Sequence, residues 1–367
     1  MPPLDPMDPP FYSARQALGF AALIFLLLVL PVGLAKTGLV ERKHVYPSVP
    51  EEWGGYGFIQ KQIFVEKADI DLLVVTTSQL YQGLDGNYLQ RQLTQGLGRE
   101  AVLVVFPTNY RCEALVYTLL RDVLKRRKVK AVMLSAPFAN NGDSLPHLQS
   151  YRWYLYGEDF EALEGLPARY RWTFHAQVVL GASRHLLSLV RQDRLDSASA
   201  YMQNFGTVKI ERINRNRSPF VHFSPTLPAL TPDEMILAVD SPRVRFPGPQ
   251  LNDYQHHYTT LSMNLLRQQR IPLIMLHLPV WVNRHDTVVN ERMPWPQVFN
   301  IPITLIGVAP ATLFAGLTEE EINKLYYNNY DWPNHHLNRN GSEYYTRVIT
   351  PAILEAYARN VIAANSQ

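Results

Sequence analysis

The chain has 367 residues, 47% of them hydrophobic, 18% charged and 11% aromatic, with 35 basic against 32 acidic residues and a net charge of +3. That length supports one large domain or two ordinary ones with a sizeable core. The near-neutral balance, with no basic block interleaved with aromatics, gives no footing for a nucleic-acid partner. Cys112 is the only cysteine, which excludes an intrachain disulfide and a cysteine-based metal site.

Residues 1–16 form an N-terminal tail, and from Ala17 to Ala35 no charged residue occurs. About 20 apolar residues span a bilayer, so this run qualifies as a transmembrane anchor. The competing reading is a signal peptide cut after Gly33-Leu34-Ala35. The leading segment carries Asp5 and Asp8 with only Arg15, a poor signal-peptide start, which favours the anchor. Lys36, Arg42 and Lys43 follow the run, a charge bias toward a cytoplasmic main domain, although long domains translocate largely regardless of such counts. Residues 36–57, rich in Pro and Gly towards their end, read as a linker.

The body, 58–367, then alternates. Strands are expected at Leu72–Val75, Ala101–Phe106 and Ala131–Leu134, with helices around Asn87–Leu97 and Glu113–Arg127, the latter carrying Leu115, Leu119 and Val123 at helical spacing. The basic run from Lys125 to Lys130 reads as a solvated helix end. The rhythm breaks over about 138–252, expected to be a large insertion over the strand ends, with one helix at Gln177–Gln192. It resumes with a helix at Tyr254–Gln269, strands at Leu273–Leu278 and Ile301–Ile306, and a closing helix from about Arg339 to Ile362. Strands alternating with amphipathic helices imply a doubly wound α/β fold with a mainly parallel sheet.

Two stretches carry the chemistry. The apolar run of the first strand stops at Thr76-Thr77-Ser78, placing a hydroxyl at the carboxyl end of the strand, the rim where open α/β sheets bind ligands. Far along the chain comes Asp331-Trp-Pro-Asn-His335-His336-Leu-Asn338-Arg-Asn-Gly341. A serine hydroxyl needs a base within hydrogen-bond reach; His335 or His336 could supply it, Asp331 could orient the ring, and Asn338 could cap the last helix. Oxyanion donors could come from the Ser78 amide and from the turns holding Asn109 and Asn140-Asn141. Taken singly, Ser78 could merely end a strand and Asn338 merely cap a helix. His256-His257, adjacent on one helix, would face different directions, which argues against a metal pair, and nothing calls for a metal ion or an organic cofactor.

At these residues the sequence resembles the SGNH hydrolase superfamily, in particular its membrane-anchored branch of alginate O-acetylation and D-alanyl-lipoteichoic-acid transfer proteins. Thr76-Thr-Ser78-Gln…Gly83-Leu-Asp85 echoes that branch's nucleophile block, and His336-Leu-Asn338-Arg-Asn-Gly341 its closing signature. The chain departs from the pattern at Thr76, at Gln79, at Pro107-Thr108-Asn109 and in the spacing of Asp331 from the histidines. The resemblance implies an SGNH or flavodoxin-like three-layer fold, Ser78 as nucleophile, His336 as base, Asp331 as its partner and Asn140 or Asn141 as an oxyanion donor. It further implies a single-pass protein of the cytoplasmic membrane with its main domain periplasmic or extracellular. There it would be an O-acyltransferase or esterase acting on a cell-surface polysaccharide, with that polysaccharide or an acyl-donor membrane protein as partner. The departures keep a second expectation open: a catalytically inactive subunit or scaffold of a membrane protein complex.

Overall fold

The computed structural model describes residues 13–37, 41–49, 54–75, 77–108, 112–135, 150–155, 157–190, 223–246, 251–291, 293–327 and 336–365. Its centre is a six-stranded sheet. Strands β1 (Ile70–Val75), β2 (Leu103–Phe106), β3 (Val129–Ser135), β6 (Leu273–Leu276) and β8 (Ile303–Ile306) are parallel, and β4 (Ile236–Leu237) runs antiparallel to β8 at one edge. The order across the sheet is β2-β1-β3-β6-β8-β4, while β5 (Val244–Arg245) and β7 (Val289–Asn290) form a separate small pair. Counted in chain order, the five parallel strands lie 2-1-3-4-5. The chain therefore reverses its direction of travel across the sheet between β1 and β3, where crevices open in doubly wound folds.

Helices cover both faces. α2 (Tyr56–Phe64), α5 (Glu113–Leu124), α6 (Ala168–Val190) and α8 (Asp253–Gln268) belong to one core layer with Leu73, Val75, Val132 and Leu134. α3 (Ser78–Gly83), α4 (Gly86–Leu97) and the long α12 (Arg339–Asn365) belong to the other with Leu72, Val74 and Met133. Alternate residues of β1 thus enter opposite layers, as the two-residue period of a strand requires. Four short helices, α7 (Pro232–Met235), α9 (Trp295–Phe299), α10 (Pro310–Leu313) and α11 (Glu319–Asn323), serve as connectors. Thr231 and Thr318 cap α7 and α11 in reciprocal boxes with Glu234 and Glu321.

β1 is buried along its whole length, although its second residue is Asp71. Arg99 and Lys130 each reach that carboxylate at 2.9 Å, and the Val102 amide donates to it at the same distance. Burial by itself would raise the Asp71 carboxyl; these three donors overcome it and hold the group well below its ordinary value of 3.8.

Three features differ from the sequence reading. Residues 42–49 are not a free tether: Val45 and Tyr46 are fully buried, and Asp122 of α5 accepts hydrogen bonds from Arg42 Nε (2.7 Å) and Tyr46 Oη (2.5 Å). Tyr46 packs edge-on against Trp153, burying area that the flanking Pro and Gly residues obscure in the sequence. The basic run after α5 is not wholly solvated, because Arg127 is buried and donates to the Ala68 and Gln62 carbonyls. The helix expected at 177–192 begins at Ala168, and the described part of 150–182 thickens the core layer with Trp153, Tyr154, Tyr170 and Phe174. α1 (Ala14–Lys36) is long and apolar enough to cross a bilayer.

Candidate active site

Ser78 is the first residue of α3, three residues beyond Val75, where β1 ends at its carboxyl rim. Thr77 precedes it in extended conformation, turning the chain from strand into helix. As the first amide of α3, Ser78 N–H has no acceptor within the helix. α3 is held in place from both ends of its loop. Leu80 and Leu84 are fully buried in the α12 layer. The Asp85 amide donates to Thr346 Oγ1 at 2.8 Å, and the Asp85 carboxylate caps α4 by accepting from Tyr88 N at 3.0 Å.

The second half of the site comes from the chain entering α12. Asn338 caps that helix: its Oδ1 accepts from the Gly341 amide at 3.1 Å, and its Nδ2 donates to the Lys324 and Tyr326 carbonyls at 2.8 and 2.9 Å. The Asn338 amide donates to Leu325 O, and the His336 carbonyl accepts from Tyr327 N at 3.0 Å. Leu337 is buried beside Gly83. Gly341 is required because a Cβ there would lie 2.1 Å from Leu325 O. The His-Leu-Asn-x-x-Gly stretch is thus a tightly bonded staple, and it fixes the backbone that carries the His336 imidazole.

These two pieces meet. His336 Nε2 lies 3.0 Å from Ser78 Oγ, across 258 residues of sequence, and the ring is half-buried. With the proton on Nδ1, Nε2 accepts from the serine hydroxyl, the arrangement in which an imidazole draws the proton from an attacking oxygen. Of the residues singled out from the sequence, Ser78 and His336 are brought together. Asp331, His335, Asn109, Asn140 and Asn141 lie outside the described residues.

Two buried tyrosines of the α12 layer stay protonated. Burial, and then the proximity of Tyr326 and Glu291, pushes the Tyr345 phenol well above its ordinary value, and it donates to the His277 carbonyl. Burial does the same to Tyr326. Neither can serve as a base.

The rim also carries a pair that the sequence reading did not single out. His277 follows β6 directly, and its Nδ1 lies 2.8 Å from the buried Glu291 Oε1; Trp295 Nε1 approaches Glu291 Oε2 at 3.4 Å. The position of His277 at a strand end was the available signal, whereas Glu291 lies in no recognisable pattern. A cavity of about 40 Å³ sits beneath the same rim, lined by Val75, Thr77, Glu113, Ser135, Thr259 and Trp295 among others. Its apolar walls belong to the α5–α8 layer, so it lies on the face of the sheet opposite the α3–α12 contact.

His256 is exposed and His257 bonds the Ala162 carbonyl at 2.8 Å, so the adjacent pair does not converge. Among the described residues no cluster of three His, Cys, Asp or Glu side chains could hold a metal ion. No protein-family model matches the chain, and no curated protein matches it either.

Proposed function

We propose that the protein is a membrane-anchored serine O-acyltransferase or esterase of SGNH type, acting on acyl groups of a cell-surface polysaccharide. The observation that carries this reading is the 3.0 Å contact between Ser78 Oγ and His336 Nε2 at the carboxyl rim of β1, beside the reversal of strand order. Ser78 Oγ attacks the acyl carbonyl as His336 takes its proton. The Ser78 amide, free of any helical acceptor, donates to the oxyanion, with Asn109, Asn140 or Asn141 as candidates for further donors. His336 then returns the proton to the departing alcohol, leaving an acyl-serine. A sugar hydroxyl, or water in an esterase, attacks that ester with His336 again as base. Asp331 is the proposed partner of the imidazole. α1 would anchor the enzyme in the cytoplasmic membrane with the catalytic domain on the outer side, where such polysaccharides are modified.

The test is release of acetate from an O-acetylated polysaccharide, or from 4-nitrophenyl acetate, by the full chain in detergent. Ser78→Ala should abolish turnover while leaving the circular dichroism spectrum unchanged. A fully active Ser78→Ala protein would remove this mechanism. Loss of no activity because none exists, in a protein that co-purifies stoichiometrically with a membrane partner, would favour the scaffold reading.

A further inference from the structure

α6 is apolar on two sides. Its inner side presents Tyr170, Phe174, Val178 and Ala182, all buried in the α8 layer. Its outer side presents Trp172, Val179 and Leu180, which are 73%, 37% and 71% exposed, with the exposed Ala176 between them. At about 100° per residue, Trp172 and Val179 stand about 20° apart and Leu180 about 80° from Trp172, so they form one stripe along the helix. A water-facing helix side is normally polar, and contiguous exposed apolar surface marks an interaction site.

The surroundings name the occupant. Of the seventeen large hydrophobic residues exposed among the described residues, ten are on α1 and three on this stripe; the other four are scattered singly. α1 lies along α6, with Pro31 buried and Val32 packed on the core, so the carboxyl end of the membrane-length helix is docked onto the same body that carries α6. If α1 spans a bilayer, α6 meets that bilayer at its surface. Trp is enriched at such interfaces, and Arg169, three residues before Trp172, is largely exposed and only loosely paired with the equally exposed Asp253 at 3.6 Å, which leaves its guanidinium within reach of lipid phosphates.

We propose that the outer stripe of α6 is a second membrane contact, seated in the interfacial zone of the bilayer beside α1. The site then faces the membrane at a fixed height and tilt instead of swinging on a tether. This inference rests on the reading of α1 as an anchor.

The test uses the full chain with Cys112→Ser, reconstituted into phosphatidylcholine–phosphatidylglycerol vesicles, with one nitroxide label at a time. Labels are placed at Leu180→Cys on the stripe, Leu23→Cys on α1 and Glu161→Cys on an exposed polar turn. Collision with oxygen, which concentrates in lipid, is compared with collision with a water-soluble nickel chelate. The expected result is lipid-like accessibility at Leu180→Cys and Leu23→Cys, and water-like accessibility at Glu161→Cys. Nickel access at Leu180→Cys with oxygen access at Leu23→Cys overturns the second contact and leaves the anchor standing. Nickel access at both overturns the anchor and the inference with it. A label at Leu180→Cys shielded from both reagents also overturns the inference, since it places a protein surface or a second copy on the stripe.

Discussion

Gly341→Ala is the substitution that most sharply separates the staple from an ordinary helix start. A Cβ at this position would lie 2.1 Å from Leu325 O and 2.8 Å from Leu337 Cδ2, whereas comfortable contact begins near 3.4 Å. Leu325 O is also the acceptor of the Asn338 amide, so it cannot retreat without loosening the helix cap. Relief requires the first turn of α12 and the Lys324–Tyr326 turn to part by about 1 Å. Overpacking of this kind costs about 1–3 kcal/mol; the better helix propensity of Ala offsets about 1 kcal/mol, leaving a net loss of up to about 2 kcal/mol. The functional effect should be larger, because the displaced turn positions His336, and a misplacement of about 1 Å can cost on the order of 100-fold in rate. The assay pairs urea unfolding of the full chain with the rate of covalent labelling of Ser78 by a fluorophosphonate. Gly96→Ala is the control: a Cβ there meets nothing within 4 Å, and it should gain about 0.5 kcal/mol without changing the labelling rate. Wild-type unfolding and wild-type labelling in Gly341→Ala would refute the idea that this glycine sets the imidazole.

Other substitutions probe the frame. Asn338→Ala removes the α12 cap and both bonds to the Lys324–Tyr326 turn; about 2 kcal/mol should be lost, read as a lower urea midpoint. Tyr46→Phe strips one of the donors to the buried Asp122 and should cost about 1–3 kcal/mol; a neutral result would mean that residues 42–49 are not part of the core. Asp71→Asn should cost about 2–3 kcal/mol at neutral pH, since it weakens bonds from two cations. The sign of its pH dependence follows from the depressed native pKa: the unfolded chain binds this proton more readily. The stabilisation is therefore complete above about pH 4 and is lost as the pH falls towards the native value. Wild type and Asp71→Asn should converge in acid-unfolding curves below that range, and a constant gap down to the lowest accessible pH would contradict the assignment.

The α/β alternation was legible because parallel strands buried on both faces are short unbroken apolar runs, as at Leu72–Val75 and Leu273–Leu276. β4 was not, since a two-residue strand leaves no period to detect. The start of α6 was hidden because Tyr170, Trp172 and Phe174 fill both of its sides and blur the polar face that marks an amphipathic helix. Tyr46 looked like linker because its burial depends on Trp153 and Asp122, far away in sequence. At the site, the order of Ser78 and His336 in the chain suggests their pairing, but only the fold shows what Asp85, Asn338 and Gly341 beside them do. They cap α4, cap α12 and admit Leu325 O, which are structural duties that hold Ser78 and His336 in contact.

Ser78 as an activated nucleophile, with His336 as its base, is the core of the proposed mechanism. The most direct measurement is fluorophosphonate labelling of the full chain in detergent, followed by peptide mapping, for wild type, Ser78→Ala and His336→Ala. A single adduct on Ser78 is expected, absent in Ser78→Ala and at least about 100-fold slower to form in His336→Ala. An adduct on another residue, or none on a protein with the wild-type circular dichroism spectrum, would contradict it.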